Sequence, residues 1–194
     1  MSPLHEPCLH FRPRVPVFDA NVAVGHRHDR PAPFADAAEL LAHLDRHGVG
    51  RAVVYAVAGE TLSPVEANEG LARWIEAGRG RLVPQHVLGP RPDSLAQLRE
   101  LRRAGRLRCA RLMDAGAVGI PVKPWVFGEA LAWLQAEAVP LWVSLADSPV
   151  AEVVDLLAPY PDLDTVLAGA HYTHASVVRP LLRRLPRARL ELSR

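Results

Sequence analysis

The sequence predicts an α/β fold, a TIM-type (β/α) barrel that is incomplete, with seven strands, six helices and no eighth unit. Strand-like apolar runs alternate with helix-like segments along all 194 residues, which requires right-handed parallel crossovers. No Gly-x-Gly-x-x-Gly or Walker-type loop follows any strand, so a nucleotide-binding open sheet is disfavoured. A complete barrel of eight units typically has about 250 residues. We therefore expect one domain, 1–194, in which 1–14 is an N-terminal extension.

Capping chemistry predicts where the first helix begins and ends. The opening apolar strand, 15–19, is followed by a loop that extends to Pro33. Asp36 can then cap a helix, Glu39 completes a capping box, and Gly48 supplies a left-handed stop.

The same alternation continues through the rest of the chain. The apolar run 51–57 is typical of a parallel strand that is buried on both faces. Ser63 and Pro64 then provide a helix cap and a proline at the first helical position. The other predicted strands are 82–88, 107–113, 141–146, 165–168 and 188–192, and the later helices are 93–104, 125–138, 149–158 and 174–185.

Composition and charge exclude several classes of protein. The net charge of +2, from 23 basic and 21 acidic residues, is too balanced for a nucleic-acid-binding protein. No apolar run approaches the ~18 residues of a membrane span, and 1–14 lacks the apolar core of a signal peptide. Cys8 and Cys109 have no metal-type or redox spacing, so we expect free thiols and a cytoplasmic location. A single lysine, Lys123, among abundant Arg, Ala, Leu and Pro suggests a GC-rich bacterial genome.

Several stretches together resemble the amidohydrolase-related (amidohydrolase 2-like) metal-dependent hydrolases. They are Phe18-Asp19-Ala20-Asn21 with Val24-Gly25, Asp45-Arg46-His47-Gly48-Val49 with Arg51-Ala52-Val53-Val54-Tyr55, Arg81-Leu82-Val83-Pro84, Val139-Pro140-Leu141-Trp142, Tyr160-Pro161-Asp162-Leu163 and Glu191-Leu192-Ser193. The resemblance covers nearly the whole chain. It implies a barrel that acts as a hydrolase or non-oxidative decarboxylase on a small molecule, with an acidic molecule among the candidates.

The resemblance also implies a divalent metal that acidifies a water, held by His and Asp side chains at strand ends. Here Asn21 and Ala23 stand at the first-strand histidine positions, and Ser144 stands at the fifth-strand position. The sixth-strand position falls near Gly169, with His171 two residues late. Lys123 lies beyond the fourth strand, and the eighth strand with its Asp is missing. The chain therefore resembles a branch that lacks the usual metal-binding histidines, and we expect no cofactor.

Five residues are the candidates for a site at the carboxyl ends of the strands. Asn21, Arg111 and His171 are predicted to be catalytic, and Ser144 and Asp114 to contact a ligand. Asn21 could hold a substrate carboxylate or satisfy buried polar neighbours. Arg111 could clamp an acidic ligand in bidentate fashion or form a structural ion pair.

The loop after the first strand contains His26-Arg27-His28-Asp29, a His-x-His pattern. We expect His26 and His28 to contact a ligand, although an exposed polar loop explains them as well. The alternative is a relocated zinc or manganese site at His26, His28, His171 and His174.

The first and last strands are predicted to have unpaired edges, which are normally covered. A second copy of the chain or a companion subunit could cover them, and a truncated reading frame would also explain them. Two functions stay open at this point. One is a small-molecule hydrolase or lyase, with its turnover in question, and the other is a non-catalytic binding or scaffold subunit.

Overall fold

Seven parallel strands form one curled sheet whose order follows the chain from β1 to β7. The computed structural model describes residues 13–26, 33–146 and 148–191. The strands are β1 Val17–Val24, β2 Val49–Ala56, β3 Leu82–Leu88, β4 Cys109–Leu112, β5 Leu141–Ser144, β6 Thr165–Ala168 and β7 Ala188–Leu190. The helices are α1 Ala37–Arg46, α2 Ala58–Thr61, α3 Pro64–Ala77, α4 Pro92–Arg103, α5 Pro124–Ala136, α6 Val150–Leu157 and α7 Ala175–Arg184. This alternation confirms the predicted TIM-type (β/α) architecture with seven strands.

The structure differs from the prediction at two places near the start of the chain. β1 does not end at Asp19 but continues to Val24, because Val22 and Val24 pair with Val54 and Ala56 of β2. In addition, a single helical turn, α2, precedes α3, so the described chain has one helix more than the six predicted. The end of the predicted seventh strand, at Leu192, lies outside the described residues.

The predicted helix caps at Asp36 and Ser63 are confirmed by their hydrogen bonds. The predicted capping box is wrong, because Glu39 Oε2 accepts the backbone N–H of Ala35 at 2.7 Å and not that of Asp36. Asp36 Oδ1 accepts the backbone N–H of Glu39 at 2.9 Å, and Ser63 Oγ accepts that of Glu66 at 3.4 Å. Each cap satisfies a donor that the first turn would leave open, which is worth about 1 kcal/mol. Gly48, with φ +65, provides the left-handed stop after α1.

Two apolar layers lie on opposite faces of the sheet. The outer layer, between strands and helices, contains the fully buried side chains Leu40, Leu71, Phe127 and Leu131, among others. The inner layer, on the concave face, is the smaller cluster Val53, Cys109, Trp142 and Ala168. Each leucine buried in this way contributes roughly 1.5–3 kcal/mol. None of the described helices is long and apolar enough to cross a membrane.

Candidate functional site

The concave face of the sheet becomes polar toward the carboxyl ends of its strands. Tyr55, Arg111 and Ser144 lie two residues beyond Val53, Cys109 and Trp142, the apolar inner layer, on the same three strands. Because side chains of a strand alternate between faces, each polar residue faces the same side as its apolar predecessor. The fold therefore places a polar layer at the end of the sheet where barrel active sites are found.

Arg111 is at the centre of this layer and is 4% exposed. Its Nε donates to Glu60 Oε1 at 3.0 Å, and its Nη2 lies 2.7 Å from the same oxygen. Its guanidinium carbon lies 4.0 Å from the centre of the Tyr55 ring. Glu60 is 3% exposed, so this pair of opposite charges is removed from water. Arg111 thus forms a buried ion pair, one of the two alternatives that its sequence context left open.

The electrostatics of the buried layer keep Arg111 charged and Tyr55 neutral. Burial alone would lower the pKa of Arg111, but the attraction of Tyr55, Glu60 and Asp114 outweighs it and raises that pKa above its ordinary value. The pKa of Tyr55 is raised by burial, a shift that Arg111 opposes and Glu60 reinforces. Neither group changes its protonation state near neutral pH.

Asn21 extends the network from Arg111 to the last strand. Its Oδ1 accepts a hydrogen bond from Arg111 Nη1 at 3.2 Å, and its Nδ2 donates to Glu191 Oε2 at 3.4 Å. A guanidinium has donors only, so its partner on Asn21 must be the amide oxygen. The amide NH2 group must consequently face Glu191, whose Oε2 also accepts the backbone N–H of Gly169 at 3.1 Å.

An irregularity in β1 gives Asn21 its position. The register with β2 shifts between Asp19 and Val22, which leaves an extra residue on β1. Asp19 Oδ1 accepts the backbone N–H of Asn21 at 3.0 Å, and Trp142 Nε1 donates to the carbonyl of Ala20 at 3.1 Å. These two hydrogen bonds hold the irregular segment against the concave face.

Asp114 and Ser144 lie in the same layer. Asp114 follows β4, is 4% exposed, and donates its backbone N–H to the carbonyl of Glu60 at 2.9 Å. This bond ties the end of β4 to α2, the turn that supplies Glu60. Ser144 is 8% exposed, and its Oγ accepts the backbone N–H of Ala146 at 3.2 Å. Its hydroxyl is thus used in a local turn.

The described histidines at this end of the sheet, His26, His171 and His174, are not part of the buried layer. His26 is exposed directly after β1, and His28 lies outside the described residues. His171 is exposed, and its backbone N–H donates to His174 Nδ1 at 2.9 Å. Within residues 13–26, 33–146 and 148–191, no three His, Cys, Asp or Glu side chains are grouped so that they could hold a metal ion. The described residues alone therefore form no such metal centre, and the relocated site, which includes His28, stays a prediction.

Three residues of the network were not among the predicted site residues: Tyr55, Glu60 and Glu191. Tyr55 and Glu191 belong to the stretches that carry the family resemblance, where nothing marks them as polar contacts. Glu60 lies in Ala58-Gly59-Glu60-Thr61, which has no helical periodicity. An acidic residue just after a continuous apolar strand was the available signal, because that position is at the carboxyl end of the sheet.

Comparison with known proteins shows likeness in structure only. No protein-family model matches the sequence, and no curated protein is significantly similar to it. An uncharacterized TIM-barrel protein from Bordetella bronchiseptica aligns with a TM-score of 0.70 at 16% identity, over 91% of this chain and 74% of its own. A probable 2-pyrone-4,6-dicarboxylic acid hydrolase from Acinetobacter baumannii, with citric acid bound, gives 0.52 at 17% identity over 79% of this chain.

A 4-oxalomesaconate hydratase from Rhodopseudomonas palustris gives a TM-score of 0.55 at 12% identity over 77% of this chain. The chain spans 58% of the length of the probable hydrolase and 52% of that of the hydratase. At 12% to 17% identity, these three likenesses establish that the chain has the fold of a TIM barrel.

Proposed function

We propose that this chain is a hydrolase- or hydratase-type TIM barrel that binds a small molecule at the carboxyl ends of its strands, without the usual metal centre. The observation that carries the proposal is the fixed orientation of Asn21. Arg111 donates to the amide oxygen of Asn21, so the NH2 group of Asn21 lies beside the carboxylate of Glu191. A hydrogen-bond donor next to a carboxylate suits a ligand with a carbonyl or carboxyl oxygen.

Glu191 is the residue that we assign to proton transfer. Its carboxylate would accept a proton from water as the water oxygen bonds to the carbonyl carbon of the ligand and the C=O π electrons move onto the ligand oxygen. In a hydrolysis, the C=O bond would then re-form as the bond to the leaving oxygen breaks, and Glu191 would return the proton to that oxygen. An N–H of Asn21 would stabilise the negative charge that develops on the ligand oxygen. Arg111 acts through Asn21, because its charge is already offset by Glu60. These steps require only side chains of the described network.

The acidic character of the ligand rests on the structural neighbours, of which one is named for a dicarboxylic acid and has citric acid bound. We infer that a small polycarboxylate is the first class to test. Because Arg111 is already paired with Glu60, neutral donors such as Asn21 would have to bind the carboxyl groups of the ligand. We therefore expect a modest affinity for the ligand.

Calorimetry with citrate and a hydrolysis assay with 2-pyrone-4,6-dicarboxylate, followed by its ultraviolet absorbance, would test the proposal. Glu191→Gln should reduce turnover at least about 100-fold and retain citrate binding, whereas Glu69→Gln, an exposed change on α3, should alter neither. The proposal fails if the wild-type chain neither binds citrate nor hydrolyses the pyrone. Stoichiometric zinc or manganese in purified protein would overturn its metal-independent part.

A second candidate function, a binding or scaffold subunit, is favoured by the exposed apolar side chains at β1. Phe18 is 51% exposed and Val15, just before the strand, 69% exposed, at one end of the strand order. A second copy of the chain or a companion subunit would cover them. Sedimentation velocity tests the homo-oligomer: Phe18→Arg should convert it to monomer, and Tyr172→Arg, a change at another exposed aromatic residue, should not. Sedimentation of wild type as a monomer would exclude self-association.

A further inference from the structure

A large cavity lies at the opposite ends of the strands from Asn21 and Glu191. It has a volume of about 690 Å³ and is bounded by α3, by the amino-terminal parts of β2 and β3, and by the segment between α4 and β4. This volume is in the range of small-molecule sites, roughly 300–1,000 Å³. Neither the hydrogen-bonded network nor the proposed reaction uses this cavity.

The walls of the cavity carry an excess of positive charge. Arg51, Arg106 and Arg108 line it, against a single carboxylate, Glu76. No hydrogen bond or ion pair joins the three guanidinium groups to other described residues. All three arginines are exposed, so their charges are accessible to an anion that enters the cavity from solution.

A buried histidine forms part of the cavity wall. His86 lines the cavity, is 5% exposed, and has an Nδ1 without a hydrogen-bond partner among the described residues. Buried imidazole nitrogens normally have partners, and this one is shielded from solvent as well. Burial, aided by the charge of Arg106, lowers the pKa of His86 to about 4. The ring is thus neutral at pH 7 and does not add to the positive charge of the cavity walls.

The remaining walls of the cavity are apolar. Leu71, Ile75, Leu82 and Pro84 line the side formed by α3 and β3. A simple inorganic anion would leave this surface without a contact. The ligand that fits both parts has an anionic group and an apolar or aromatic body.

We propose that this cavity binds a small amphiphilic anion, with its charged group at Arg51, Arg106 and Arg108 and its apolar body against α3 and β3. The cavity is distinct from the carboxyl-end network. If it does not bind an anion, the proposed hydrolase or hydratase function is unaffected. The ligand class is defined by its chemistry: a carboxylate, sulfonate or phosphate on a ring or chain of modest size.

Two fluorescent probes with the same ring system test the charge requirement. 8-Anilinonaphthalene-1-sulfonate carries a sulfonate, and N-phenyl-1-naphthylamine lacks it. In fluorescence titrations we expect the sulfonate to bind with 1:1 stoichiometry and at least about tenfold more tightly than the neutral probe. Raising the salt concentration should weaken the binding of the sulfonate probe only, because salt screens exposed charges.

The matched variants locate the site. Arg106→Gln with Arg108→Gln should weaken sulfonate binding at least about tenfold and change binding of the neutral probe less than twofold. Arg73→Gln with Arg103→Gln removes the same charge from exposed positions on α3 and α4 outside the cavity and should change neither. Ala72→Trp should fill the cavity and block both probes. The proposal would be overturned if the sulfonate probe does not bind or if both probes bind with equal affinity. Equal effects of the two double variants would also overturn it.

Discussion

The two ends of the sheet differ in whether their buried or cavity-lining arginine side chains are paired with other groups. At the carboxyl end, the guanidinium of Arg111 is enclosed by Glu60, Tyr55 and Asn21, and its nearest carboxylate oxygen is 2.7 Å away. At the amino end, Arg106 and Arg108 line a cavity of about 690 Å³, and no carboxylate of the described residues is bonded to them. The first arrangement satisfies its charges within the fold, and the second leaves them to solvent or to a ligand.

Arginine therefore has two different roles in this one small domain. A guanidinium that is fully paired can orient its neighbours, as Arg111 orients the amide of Asn21, but it has little left for a ligand. Guanidinium groups that line open space contribute little to stability and can bind anions. The comparison predicts that changes at the carboxyl end alter stability strongly, whereas charge changes at the amino end alter binding.

The largest expected effect is at the buried ion pair. Glu60→Ala should lower the free energy of unfolding by about 3–5 kcal/mol, because it leaves the charge of Arg111 buried and uncompensated. Urea denaturation followed by circular dichroism measures this loss.

The double variant Glu60→Leu with Arg111→Met removes both charges and should regain most of the lost stability, since an apolar pair of similar volume is often as stable. Glu129→Ala, which breaks the exposed pair with Arg99, is the control and should cost no more than about 1 kcal/mol. A Glu60→Ala cost as small as this control would show that the two ends of the sheet do not differ as described.

A second test measures how the stability of the chain depends on pH through His86, a residue that lines the amino-end cavity. The pKa of His86 is lowered to about 4 in the folded chain, so the unfolded chain binds its proton first as the pH falls. The stability from this group is complete above pH 6.5 and is lost between about pH 6.5 and pH 4. Wild type should lose about 2 kcal/mol more than His86→Met between pH 7.5 and pH 5. Parallel pH dependence of the two proteins in urea denaturation would contradict the burial of a neutral His86.

The smallest effect is expected at an exposed ion pair of the amino end. Arg81 Nη1 lies 2.6 Å from Asp45 Oδ1, but the Asp45 side chain is 65% exposed, and Arg81 also donates to the carbonyls of Val49 and Gly50. Asp45→Ala should therefore cost less than about 1 kcal/mol, measured by thermal denaturation at low salt. A loss of several kcal/mol would mean that paired charges at the two ends have similar weight.

The parts of the fold that were predictable depend on contacts close in sequence. Asp36, Ser63 and Gly48 mark helix ends through bonds to residues a few positions away, and the structure confirms them. Continuous apolar runs identified the buried strands for the same reason. β1 was predicted too short because its last residues are held by pairing with β2, which local sequence does not show.

The network at the carboxyl end was harder to predict because its bonds join distant residues. Arg111 and Glu60 are 51 positions apart, and Asn21 and Glu191 are 170 apart. Asn21 and Arg111 were identifiable as polar residues on apolar strands, whereas Glu60 had no periodic context. The ion pair of Arg111 depends on a turn, α2, that the sequence did not indicate.

The hydrogen bond between Asn21 and Glu191 also has a consequence for the order of folding. Closing a contact between residues so far apart in sequence costs more chain entropy than closing a local one, so we expect this hydrogen bond to form late. The donor–carboxylate pair that we propose to act on the ligand would thus exist only after the last strand has docked. A population of molecules with a frayed β7 would keep most of its secondary structure and have no competent site, so the activity of a preparation should report the completeness of the sheet more sensitively than its circular dichroism.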